Sequence, residues 1–271
     1  MSDTTLSVPV PEEVGKLYDQ ILKDEHTYEQ FEKFNHQLHI GYWDDPTSDV
    51  PMREAVVRLT ELMVERLRVD AEDRVLDLGC GIGGPATQIV RTTGARVVGV
   101  SISEEQVKLA TRLATEAGVG DRATFQRADA MRLPFEDESF DAVMALESIL
   151  HMPSREQVLS EARRVLRPGG RLVLTDFFER APRTPGMHPA IEGFCRTAMT
   201  TMADVDDYVP MLHRVGLRVR ELLDITEQTM ERTWRETLEI VSQNDRPVDF
   251  DLAELFGVDE FGCLLVAADR P

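Results

Sequence analysis

The stretch Val75-Leu76-Asp77-Leu78-Gly79-Cys80-Gly81-Ile82-Gly83-Gly84 decides the fold. An apolar Val/Leu run interrupted by one acid reads as a buried parallel strand, and the closely spaced glycines after it read as a tight turn into a helix. Glycine suits such a turn because it adopts positive φ without penalty and because, lacking Cβ, it lets a ligand lie against the backbone. Gly79, Gly81 and Gly84 fit the G-x-G-x-x-G pattern of dinucleotide sites. That template also wants an acid about 20 residues on to hold a ribose. Here the second strand, 96–100, runs into Ser101, and the acid that is present, Asp77, precedes the glycines. On the residues alone, the turn either cradles a nucleotide-like ligand or merely joins strand to helix.

Outward from this turn strand and helix alternate, the mark of a parallel sheet covered on both faces. Strand one spans 74–78, a helix opens near Pro85 and stops at Gly94, and strand two follows. Ser103-Glu104-Glu105-Gln106 is a capping box for a second helix ending at Gly118. A third strand (124–127), a fourth (140–146), a helix with a Ser154/Gln157 box (154–167), a Pro168-Gly169-Gly170 turn and a fifth strand (171–176) complete the regular part. Further on, 204–215 reads as a helix stopped by Gly216, 217–225 as strand six, the surroundings of Met230, Trp234 and Val241 as a helix, and 262–268 as the last strand. Upstream, residues 1–10 read as loose. Pro11-Glu12-Glu13 then opens an amphipathic helix with Val14, Leu17, Tyr18, Ile21 and Leu22 on one face, and another helix spans 51–68. The first of these either packs on the core or forms a lid over a cleft.

Composition narrows the function. A chain of 271 residues, 42% hydrophobic and 29% charged, is long enough for one good core with a helical appendage. Its net charge of −19 repels phosphate backbones, and no run of lysine or arginine offsets it, so nucleic acid is not an expected partner. Cys80, Cys195 and Cys263 are odd in number and far apart, which argues against a disulfide framework or a zinc site and suits a reducing cytoplasm. No basic-apolar leader and no long apolar run point to a membrane.

The segment 77–83 resembles motif I of the class I S-adenosylmethionine (SAM) dependent methyltransferases. Residues 73–180 follow that family's order closely, including Val165-Leu166-Arg167-Pro168-Gly169-Gly170. Residues 38–44, with Gly41-Tyr42-Trp43, are more loosely similar to the leader of natural-product methyltransferases from actinobacterial pathways. The resemblance implies an α/β, Rossmann-like fold: a seven-stranded, mostly parallel sheet with helices on both faces, an N-terminal helical lid and helical cap insertions. It divides the chain into a leader (1–70), a SAM-binding core (71–180), and cap helices with the C-terminal strands (181–271). It implies SAM as cofactor, S-adenosylhomocysteine (SAH) as its product, and no metal. Asp77, Gly79, Cys80 and Gly81 would lie along the methionine part of SAM. Asp129 would accept from the adenine amino group, with Ile102, Ala130 and Met131 lining its slot, Leu146 would belong to the cofactor-binding set, and Glu147 would lie near the sulfonium. Gly99-Val100-Ser101-Ile102-Ser103 followed by Gln106 is similar to the subgroup in which a glutamine reaches the ribose in place of an acid. Gln106 reads equally as a helix cap, and Asp129 as a solvent-exposed turn acid.

Methyl transfer to a neutral hydroxyl leaves a strongly acidic oxonium unless a base takes the proton, and imidazole, with a pKa near ~6.5, suits that task. His151, just past the fourth strand, is the candidate base; Asp176, ending the neighbouring strand, would hold the imidazole's other nitrogen. The pair matches the proposed base and partner of a rebeccamycin-type sugar O-methyltransferase, which carries two consecutive histidines where this chain has Leu150-His151. A lone histidine at a strand end is also often structural, and His39 is a second candidate. Tyr18, Tyr42, Trp43, Phe177 and Phe194 are expected to wall the acceptor side. The stripe Met187, Ile191, Phe194, Cys195, Ala198, Met202 reads as core or as substrate roof. The expected activity is in-line methylation of a hydroxyl on a bulky secondary metabolite, a small-molecule acceptor. N- or C-methylation, or a methyltransferase-like cyclase or isomerase that keeps SAM as a structural ligand, are the alternatives. A protruding first helix that closes a neighbouring subunit's site would make the protein a homo-oligomer.

Overall fold

The computed structural model describes residues 8–23, 34–180, 186–242 (without the side chains of 240–242) and 251–271. Most of the expected loose start and the expected inward face of Val241 therefore lie outside the described residues. Strands β1 (Arg74–Leu78), β2 (Arg96–Ser101), β3 (Ala123–Arg127), β4 (Phe140–Ala145), β5 (Leu166–Glu179), β6 (Arg218–Asp224) and β7 (Phe261–Asp269) form one sheet in the order β3-β2-β1-β4-β5-β7-β6. Pairing is parallel from β3 through β5, and β7 runs antiparallel to both its neighbours. The chain moves outward from β1 to β3 and returns as β4 on the other side of β1. The loops after β1 and β4 therefore diverge, and the crevice between them is where open α/β sheets bind ligands.

Side chains alternate across the sheet with period two, which is why its central strands read as continuous apolar runs. Val75, Met144, Val173 and Leu265 point to one face; Leu76, Val143, Leu174 and Val266 point to the other. The first face is covered by α2 (Met52–Leu67), α3 (Gly84–Thr93), α6 (Pro189–Ala198) and α8 (Met230–Ser242). The second is covered by α5 (Arg155–Val165) and α7 (Val205–Arg214). On α2, Leu59, Met63 and Leu67 are buried one turn apart, each contributing about 1.5–3 kcal/mol. Helix α4 (Glu104–Glu116) covers β2 and β3 on the first face, with Ala114 in that core, and α1 (Pro11–Lys23) packs on it beside the crevice. No helix among the described residues is long and apolar enough to cross a membrane.

The largest departure from the sequence reading is at the fifth strand, which both starts early and runs on to Glu179. The fifth strand begins at Leu166, five residues early, because Pro168-Gly169-Gly170 is a bulge within it and not a turn before it. Phe140 pairs with Leu166 and Ala142 with Arg171. Gly169, at φ +82°, donates its N–H to Arg270 O while Arg270 N–H returns to Gly170 O. The far end of the chain thus satisfies the backbone that would otherwise have turned away.

Candidate active site

Beyond β1 the glycine turn is held by two bonds to one acceptor: Gly79 and Cys80 donate their N–H groups to Val100 O (2.9 and 3.0 Å). Gly79 has φ +73°, and a Cβ placed there would lie 2.2 Å from Ser148 Cβ, so only glycine lets the two loops meet. Gly81 has φ +50°, and an added Cβ would meet Leu38, which lines the same cleft. Cys80, expected in the cofactor set, is turned the other way: it is buried, and its Cβ would lie 2.8 Å from a Cβ added to Gly99 in β2. Asp77 is buried behind the turn, burial alone lifts its carboxyl to about 7, and its Oδ2 finds no partner among the described residues.

Along the cleft, Ser101 explains why the second strand needs no acid. Ser103 N–H donates to Ser101 Oγ (3.1 Å), which directs the Ser101 hydroxyl proton to Gln106 Oε1 (2.6 Å). The amide of Gln106 then has its NH2 left to offer, a donor for a ribose hydroxyl oxygen. Half of the expected capping box forms: Gln106 N–H donates to Ser103 Oγ (3.0 Å), but the Gln106 side chain lines the cleft and leaves the Ser103 N–H to Ser101 Oγ. Ile102, Ala130, Met131 and Leu146 supply apolar walls, and Asp129 lines the same space with Oδ1 accepting Met131 N–H (2.8 Å).

The helix α1 closes this cleft from above. Gly15 sits against Ile102, Ser103 donates to Asp19 (2.5 Å), and Tyr18 reaches across to place its hydroxyl 2.9 Å from His151 Nε2. His151 lies in the single 3₁₀ turn Ile149–His151 after β4. Its Nδ1 is 3.0 Å from Met199 O, an acceptor, so Nδ1 carries the proton of the neutral ring and Nε2 is the basic nitrogen, facing Tyr18. Burial holds the His151 pKa below that of ordinary imidazole, partly opposed by Met199 O and Asp176.

A second cavity of about 480 Å³ adjoins the first, with Tyr18, Glu147 and His151 bordering both. Its walls include Leu17, Ile21, Phe177, Phe194 and Trp234. Glu147, at φ +45°, is held there by Ile40 N–H to Oε1 (3.0 Å) and by its own N–H to Thr175 Oγ1 (3.0 Å), and burial lifts its carboxyl to about 8. A left-handed non-glycine residue costs about 1–3 kcal/mol, and such strain clusters at functional sites.

Three expectations are corrected. Asp176 does not touch the His151 ring; both its oxygens accept from Arg155 (2.6 and 2.9 Å) and one also from the Tyr208 hydroxyl (3.0 Å). Tyr42 and Trp43 wall neither cavity. Trp43 is buried in its own cluster with Met52, Ala55 and Val56, donating to Val50 O under the Arg232 guanidinium, and Tyr42 packs against the main core. The second candidate base, His39, has one ring nitrogen on Ile40 O and the other on Gln37 Oε1 (2.8 Å each), and burial lowers its pKa to about 4. Ser101 was noted from sequence only as standing where an acid is usual; Arg155, Met199 and Thr201 were not singled out, and only the tertiary contacts reveal them.

The family model described as "Methyltransferase domain" matches residues 76–174. Over 232 residues, 84% of this chain and 81% of the relative, the sequence is 41% identical to "Methyltransferase GfsG" of Streptomyces halstedii. The chain belongs to the class I SAM-dependent methyltransferases. Over 228 residues this methyltransferase is also 41% identical to "27-O-demethylrifamycin SV methyltransferase" of Amycolatopsis mediterranei, covering 83% of this chain and 80% of that one. Its fold matches the [4+2]-cyclase SpnF with a TM-score of 0.81 at 26% identity, over 97% of each chain. The methyltransferase's own residues fit SAM: a side-chain-free strip at Gly79 and Gly81, a glutamine donor, an apolar slot, and behind the turn a buried acid with one oxygen unpartnered among the described residues.

Proposed function

We propose that the protein methylates a hydroxyl oxygen on a bulky, largely apolar secondary metabolite, with His151 as general base. The observation that carries this reading is the wiring of the His151 ring. With Nδ1–H committed to Met199 O, Nε2 is a lone-pair acceptor at the border between the cofactor cleft and the apolar cavity. SAM, when bound, supplies an electrophilic methyl group on a cationic sulfur. The acceptor hydroxyl would take the place of the Tyr18 hydroxyl at Nε2, and His151 would hold its proton as the oxygen accepts the methyl group. Glu147 would steady positive charge there; segment 71–180 supplies most of the cofactor cleft, with Pro11, Val14, Tyr18 and Leu38 added from the leader, and described residues of the leader and cap segments supply most of the acceptor cavity.

The apolar lining and the rifamycin-type relative support a polyketide-like acceptor. The likeness to SpnF favours one second reading, a cyclase that retains SAM as a structural ligand. Incubation with SAM and a panel of hydroxylated macrolactones and ansamycins separates them by mass spectrometry. One SAH per methylated product supports methyl transfer; a rearranged product with SAM intact would establish the cyclase and sink the proposal.

A further inference from the structure

The residues behind His151 carry an inference that rests on its role as base. Asp176 is fully buried, and its carboxylate is used up away from the histidine: Arg155 Nε and Nη2 occupy both oxygens, joined by Tyr208 and by Phe177 N–H (2.9 Å). The other edge of the guanidinium grips Thr201, Nη1 donating to its Oγ1 (2.7 Å) and Nη2 to its carbonyl (2.6 Å). Thr201 in turn donates its N–H to Leu150 O (3.0 Å), next to His151. Two residues before Thr201 stands Met199, whose φ of +49° turns its carbonyl onto His151 Nδ1.

We propose that Asp176 and Arg155 are positioning residues. The carboxylate orients the guanidinium, the guanidinium pins the 199–201 turn, and the Met199 carbonyl on that turn keeps the imidazole in its Nδ1–H tautomer with Nε2 basic. A planar fork with donors on two edges suits this task, and an ammonium does not. The two charges also act on the ring through space with opposite signs, the carboxylate favouring the imidazolium and the guanidinium opposing it. Other titratable groups around this pair and the ring, among the described residues, are Tyr18 from α1, Glu147 after β4, Cys195 from α6, Tyr208 from α7 and Cys263 from β7.

The test reads the ring directly. Nitrogen-detected NMR of the full chain with added SAH resolves the histidine tautomers and their titration, and His151→Gln assigns the signal by its loss. The wild type should show one tautomer, Nδ1–H. Asp176→Asn leaves the guanidinium unbalanced and should lower the ring's titration midpoint, whereas Arg155→Met should raise it. Thr201→Val keeps both charges and removes the Oγ1 anchor; it should mix the tautomers and, because a loosened Met199 carbonyl favours the imidazolium less, lower the midpoint; it stands in if Arg155→Met fails to fold. Mixed tautomers in the wild type, midpoints moving the same way in the two charge variants, or a wild-type ring in Thr201→Val would overturn the proposal. Turnover of His151→Ala is scored separately: full activity there removes the base assignment while the NMR outcome stands, so the two failures are distinguishable.

Discussion

The two halves of the cleft are built differently. On the proposed reading the cofactor side is made where strands end: Gly79 and Gly81 follow β1, Ser101 closes β2, Asp129 follows β3 and Glu147 follows β4. The acceptor side is made by packing between distant segments. Tyr18 meets His151 across 133 positions, Ile40 meets Glu147 across 107, and Gly41 N–H meets Thr233 across 192. Geometry fixed by a strand end survives many changes of side chain, whereas geometry fixed by packing is open to change with each new acceptor.

If the halves are separable, substitutions should divide by what they disturb. The largest expected effect is at the border: His151→Ala should lower kcat by about 10²–10⁴-fold while calorimetry finds SAM affinity intact. A variant that also lost SAM would show that the ring belongs to the cofactor half. Next, Trp234→Ala should destabilise the fold by about 3–5 kcal/mol in urea unfolding, since its ring packs on Phe194 and Phe261. Its acceptor KM should rise with SAM binding kept, and a matching loss of SAM affinity would break the comparison. Tyr18→Phe should change kcat only a few-fold. The hydroxyl stabilises the neutral Nε2, so its loss raises the His151 pKa and moves the acid limb of the pH-rate profile upward; an unmoved limb would contradict the contact.

The smallest effect sharpens the cofactor side. Burial keeps Asp77 and Glu147 protonated in mildly acidic solution, with pKa values of about 7 and about 8. A bound cation favours their ionised forms, so SAM binding should expel protons, and affinity should rise from about pH 6 to about pH 9. SAH, without the sulfonium charge, should show the weaker rise. Identical pH dependence for both ligands would mean that neither carboxylate senses the sulfur.

The same division explains what could be read in advance. The sheet was legible because its strands are apolar runs bounded by glycine and by the Ser103 and Ser154 caps, both of which form as the sequence suggests. The bulge in β5 was not, because the Arg270 backbone that pairs with Gly169 and Gly170 lies a hundred residues away in sequence. An aromatic pair such as Tyr42-Trp43 announces burial and does not say against what; here Trp43 found Val50 O and Arg232. Asp176 was read as the histidine's partner because the two lie at neighbouring strand ends, but the sequence does not reveal that Arg155 reaches it first.

The central claim is that the glycine turn under α1 is a SAM pocket, and titration calorimetry with SAM and then SAH tests it without any acceptor. Both should bind the wild type, and Gly81→Val, which puts a branched side chain at positive φ on the cleft floor, should bind neither while remaining folded. Folded, ligand-free wild type that binds neither, or a Gly81→Val protein that binds both as before, would contradict the account.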